Sequence, residues 1–173
     1  MKLISKIVML ATVCVASLTL SSCNKDGRSS GPTIYGKWQA VKIEYINEDG
    51  AVDTEYPEDG EFMIIEFGMD GSLHQYKEYN LYDGHTGNFI VHIREVNEGT
   101  FLLEGDDLTT TFTHATWTRT YEDGRVETEE YAPDGEEGTE TLNLCELTDS
   151  EMVLVVHYYD YHEEDYYYFE RIN

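Results

Sequence analysis

The chain has 173 residues, the size of one ordinary domain once any leader is removed. Eleven Lys and Arg against 35 Asp and Glu give a formal charge of −24, which argues against nucleic acid and against charge-driven docking onto anionic lipid. With 40% hydrophobic residues, 14 Tyr and only 3 Pro, the composition is that of a folded, strand-rich chain and not of an acidic disordered tail.

The first segment reads as a leader. Lys2 and Lys6 give a positive start, and a mostly apolar run follows from Ile7 to Leu20. Roughly 14 residues are too few for a membrane-spanning helix, which needs about 20, but they suit a secretory h-region. The run ends Leu20-Ser21-Ser22-Cys23, which resembles the lipobox of bacterial lipoproteins. That resemblance implies cleavage of residues 1–22 and an acylated Cys23 as the first mature residue, anchoring the chain to a membrane. Loss of Lys2 and Lys6 takes the charge from −24 to −26. Cys14 leaves with the leader and Cys23 becomes a thioether, so Cys145 has no partner for an intrachain disulfide. Leu144-Cys145-Glu146 offers no basic neighbour to form a thiolate, so Cys145 reads as a strand residue and not a nucleophile.

Residues 24–33 are polar, with Gly and Ser and no periodicity, and are expected to form a flexible tether reaching roughly 35 Å when extended. Lys25-Asp26 is similar to the export signal of surface lipoproteins in the Bacteroidota, and Asn24 is not the aspartate that retains lipoproteins in an inner membrane. Both imply attachment at the outer membrane, on its periplasmic face or the cell surface.

From Ile34 onward no stretch has the 3.6-residue periodicity of a long helix. Short runs rich in Val, Ile, Thr, Tyr and Phe alternate with turn residues such as Asn47-Glu48-Asp49-Gly50, Met69-Asp70-Gly71, Asp83-Gly84, Glu98-Gly99 and Asp123-Gly124. Strands are expected near 36–45, 61–67, 72–80, 88–95, 100–104, 107–122, 125–131, 139–147, 152–161 and 166–172. Met63, Ile65 and Phe67 would share one face, as would Phe101 and Leu103. A two-residue loop at Asp123-Gly124 would set Glu122 opposite Arg125 and Tyr121 opposite Val126, in a hairpin of Thr and Glu that projects into solvent or forms a sheet edge. Tight turns imply an antiparallel meander, closed as a barrel of 8–10 strands or stacked as a two-sheet sandwich.

Ile34-Tyr35-Gly36-Lys37-Trp38-Gln39 matches the Gly-x-Trp opening of lipocalins. Ile65-Glu66-Phe67-Gly68-Met69-Asp70-Gly71, the segment Gly99–Leu108, and the closing pair Leu147–Leu154 and Tyr168-Phe169-Glu170-Arg171 resemble hairpins of the lipocalin-like lipoproteins of the Bacteroidota. The resemblance implies an all-β, antiparallel up-and-down barrel. It also implies a structural plug in which Arg171 lies over the Trp38 indole as a cation–π contact.

Chemistry is sparse. There is no nucleotide-binding glycine fingerprint, no Cys-x-x-Cys, no His-Glu-x-x-His and no Gly-x-Ser-x-Gly. His157 and His162, five apart on a strand, would face opposite sides. The acidic runs 134–140 and 162–165 lack regular calcium-loop spacing. No cofactor, metal or catalytic set is expected. Tyr158, Tyr159, Tyr161, Tyr166 and Tyr168 form the candidate surface for a ligand or partner, against the plainer account of strand propensity and cross-strand packing. The expected function is a lipid-anchored, non-enzymatic envelope lipoprotein that binds a small apolar or amphipathic ligand, or a partner, at its barrel mouth or aromatic face. The alternative is an acidic inhibitor or accessory factor that binds cationic proteins such as lysozymes.

Overall fold

A computed structural model describes residues 32–133, 135–158 and 163–173. Cys23, Tyr159, Tyr161 and His162 lie outside them. The described residues form ten strands: β1 Gly36–Ile46, β2 Val52–Glu55, β3 Phe62–Phe67, β4 Ser72–Tyr82, β5 Phe89–Glu104, β6 Asp107–Tyr121, β7 Val126–Tyr131, β8 Thr139–Leu147, β9 Glu151–Tyr158 and β10 Glu163–Ile172. All pairings are antiparallel, in the order β10-β9-β8-β6-β5-β4-β3-β1. β10 returns to β1 from Lys37↔Ile172 to Ile46↔Glu164, so the sheet closes as an eight-stranded barrel and not a sandwich.

Closure follows from alternation. Trp38 and Ala40, Ile65 and Phe67, Leu73, Leu108, Met152 and Leu154, and Phe169 all turn inward and form one buried cluster with Ile34. Phe101 and Leu103 pack against it, as does Met63, on the shared faces expected from their spacing. Ring edges interlock as well, with Phe67 and Phe101 4.9 Å apart at 74°. At this end Trp38 donates its indole N–H to the Ile34 carbonyl at 2.7 Å.

Three local expectations are corrected. Glu98-Gly99 is not a turn: β5 runs straight through it, and a bulge there shifts the register against β6. A Cβ on Gly99 would collide with the Thr111 carbonyl and come within 2.8 Å of Phe112 Cα, so this glycine permits close approach of two strands instead of a reversal. The β6–β7 hairpin pairs Thr120, not Tyr121, with Val126, because Tyr121 instead opposes Arg125, donating its N–H to the Arg125 carbonyl at 2.9 Å, and a three-residue loop over 122–124 replaces the two-residue one. In that turn Asp123 accepts the Arg125 N–H at 3.0 Å, and Gly124 adopts φ +82. β2 is an additional strand, hidden in the sequence because Val52-Asp53-Thr54-Glu55 has one apolar residue and no buried face.

Candidate functional site: the open half of the lumen

The barrel is fully paired only at the Trp38 end. β1 pairs with β3 over Gly36–Gln39, but its far half, Ile43–Ile46, pairs with β2. β6 behaves likewise, pairing with β8 over Asp107–Thr111 and with β7 over Ala115–Thr120. Where β1 exchanges partners the wall parts, and a cavity of about 300 Å³ opens among Ala40, Ile43, Tyr56, Met63, Lys77 and Tyr167. A deeper space of about 80 Å³ shares Met63, Lys77 and Tyr167 with it and reaches Gln75, Thr110 and Glu140. Below lies the packed apolar floor.

Polar groups form the middle layer of the lumen. Asn97 is 6% exposed and donates to Gln75 Oε1 at 3.0 Å and Glu95 Oε1 at 2.6 Å. Thr110, 2% exposed, donates to the Glu140 carbonyl at 3.4 Å. These bonds satisfy groups that would otherwise be costly to bury. Glu140 turns its carboxyl toward the lumen, where desolvation holds its pKa above the ordinary value and the Lys77 charge partly offsets this. Lys77 faces Glu95 in register, yet no carboxylate among the described residues lies within 4.0 Å of its ammonium.

Tyrosines ring the rim. Tyr45 donates to Glu55 at 3.0 Å, and burial, followed by that bond, pushes its pKa to about 12. Tyr158 donates to Asp165 Oδ2 at 3.1 Å; burial and then the Asp165 charge raise its pKa. Asp165 is itself raised by burial, with the Tyr158 bond acting the other way. Tyr167 is raised far above an ordinary phenol, chiefly by desolvation.

Of the candidate tyrosine surface, the three described members, Tyr158, Tyr166 and Tyr168, do not share one face. The register Tyr158↔Glu163 puts Tyr158 on the same side as Asp165 and Tyr167, at the lumen rim. Tyr166 and Tyr168 alternate to the outside. There Tyr168 donates to Glu44 Oε2 at 2.7 Å, and the Lys42 ammonium stands 3.7 Å from its ring centroid. Lys42 also pairs with Glu44 at 2.8 Å, and this bond, then the Tyr168 bond, holds Glu44 below the ordinary carboxylate range. Tyr166 donates to Glu164 at 2.8 Å.

At the closed end, Arg171 Cζ stands 4.0 Å from the Trp38 ring centroid. Cys145 is exposed, its thiol 3.4 Å from Asn143 Oδ1. His157 pairs with Glu164 at 3.0 Å. Among the described residues no group of three His, Cys, Asp or Glu is placed to hold a metal ion. Sequence reasoning missed Lys77, Gln75, Glu95, Asn97 and Glu140. Their one signal is alternation with inward anchors: Leu73-Gln75-Lys77-Tyr79 share a face, and Leu73 is fully buried.

The lipocalin-like domain family matches residues 34–154, well over half of the chain. Among solved structures, a lipocalin-like protein from Bacteroides uniformis is similar at 15% identity, over 80% of this chain and 97% of its own, with a TM-score of 0.42. No curated protein matches the chain.

Proposed function

The chain belongs to the lipocalin-like domain family, and from that premise we propose that it is a non-enzymatic binding protein for a small amphipathic molecule. The observation that carries this is the adjacency of the 300 Å³ side mouth and the 80 Å³ inner space, which share Met63, Lys77 and Tyr167 as lining. A volume of that order is at the small end of ligand sites. Its walls combine apolar groups (Ala40, Ile43, Phe62, Met63) with a few polar ones, the balance such sites need. The Leu-Ser-Ser-Cys23 end of the leader supports an acyl anchor, and the tether after it supports a domain held just off the outer membrane.

Isothermal titration of the lipoprotein in nanodiscs with a short-chain amphiphile tests the reading. Saturable heat at one site per chain above the nanodisc blank is the expected result; heats indistinguishable from the blank would remove it.

A second reading, capture of a cationic protein, is favoured by β7, exposed along its whole length and carrying Glu127, Glu129 and Glu130. Binding of lysozyme that weakens steeply as salt rises is the outcome it requires.

A further inference from the structure

Charge commitments around the open half of the lumen are uneven. The carboxylates at the mouth are engaged. Glu55 accepts from Tyr45 at 3.0 Å, and Glu61 from the Asn80 N–H at 3.0 Å. Glu78 lies 3.6 Å from Arg94 Nε and 3.7 Å from His92 Nε2. Deeper in, Glu95 accepts from Asn97 at 2.6 Å and Asp165 from Tyr158 at 3.1 Å. Glu140 shares the inner space with Lys77 but lies beyond ion-pairing distance of its ammonium. Of the side-chain donors in the lining without such an engagement among the described residues, two face both spaces: the Lys77 ammonium and the Tyr167 hydroxyl.

We propose that Lys77 and Tyr167 receive the acidic head of the ligand, a singly charged carboxylate, while its apolar body lies outward against Ala40, Ile43, Phe62 and Met63. This rests on the small-ligand reading above and specifies its head group. A half-buried ammonium with no carboxylate in direct contact among the described residues is poorly compensated, and a carboxylate brought by the ligand supplies that contact through a charge-assisted hydrogen bond. The phenol adds a second donor in the same space. The surrounding acids set the limit on charge: one negative group can be balanced by Lys77, whereas a dianionic phosphate adds repulsion from Glu95, Glu140 and Asp165. Elsewhere the −24 charge repels anions, so selection depends on the apolar body as much as on the head.

The test uses the full lipidated chain in nanodiscs and three photoreactive ten-carbon probes that differ only in head group: carboxylate, alcohol and ammonium. Crosslinking is read by intact mass and by peptide mapping. The carboxylate probe is expected to label β1 and β3 around Ile43 and Met63, and excess decanoate to compete it off. Lys77→Met should reduce that labelling about tenfold or more, the scale of one hydrogen bond to a charged group, and leave the alcohol probe unchanged. Tyr167→Phe, which keeps the ring and loses only the hydroxyl, should reduce carboxylate labelling severalfold. Equal labelling by carboxylate and alcohol, preference for the ammonium probe, or indifference to both substitutions would overturn the head-group assignment and leave ligand binding standing. Failure of all three probes to label the cavity strands would overturn both.

Discussion

Arg171 covers Trp38 and at the same time ties three separate segments together. Its guanidinium carbon is 4.0 Å from the indole centroid, and its nitrogens donate to the carbonyls of Tyr35 at 2.6 Å, Thr33 at 2.5 Å and Asp149 at 2.7 Å. The pair is also in register, Trp38↔Arg171, so one contact joins the first strand, the last strand and the β8–β9 turn. A planar fork suits this task because its donors point in fixed, divergent directions.

Trp38→Ala should therefore cost about 3–5 kcal/mol in urea unfolding, as for other fully buried aromatics. A midpoint unchanged from wild type would contradict the structural role.

Arg171→Lys should lose about 1–3 kcal/mol despite keeping its charge, since one ammonium cannot reach three divergent carbonyls. Gly36→Ala should reproduce part of that loss. A Cβ there would stand 2.8 Å from Arg171 Nη1, on a backbone whose φ of +116 already disfavours any side chain. Denaturation midpoints of the two variants provide the check.

Gly99→Ala should destabilise by about 1–3 kcal/mol or more, because its methyl would strike β6 backbone and not a movable side chain. Stability equal to wild type would mean that β5 and β6 do not approach this closely.

Two carboxylates give opposite pH signatures. Glu44 is held below its ordinary pKa of 4.5 by Lys42 and Tyr168, so its contribution is present above that value and lost as pH falls through the lowered one. Glu140 is raised by burial, so its contribution is present below 4.5 and lost as pH rises through the raised value. At pH 7, Glu44→Gln should destabilise by about 0.5–1 kcal/mol and Glu140→Gln should not. Below both values the Glu44→Gln difference should vanish. Stability profiles of the two variants against wild type test the signs.

Much of the barrel was legible in the sequence because one-sided alternation is a strong signal. Met63-Ile65-Phe67 and Phe101-Leu103 each place an apolar residue at every second position. The open half of the lumen carries no such mark. Gln75, Lys77, Glu95 and Asn97 are polar residues on inward faces, and in a chain with 35 acids they look like solvated strand positions until closure is known. Pairing to Tyr158 was likewise invisible: the tyrosine pattern alone gives a face for each strand, but only the β9–β10 register separates Tyr158 from Tyr166 and Tyr168. Gly99 was misread for a related reason, since a glycine that admits a neighbouring strand and one that reverses the chain look the same locally.

Native mass spectrometry of the protein purified from its own host, released gently from the membrane, tests the central claim most directly. The account predicts a species heavier than the acylated polypeptide by one small organic molecule per chain, with that adduct lost from Lys77→Met. Detection of the acylated polypeptide alone, with Lys77→Met indistinguishable from wild type, would contradict it.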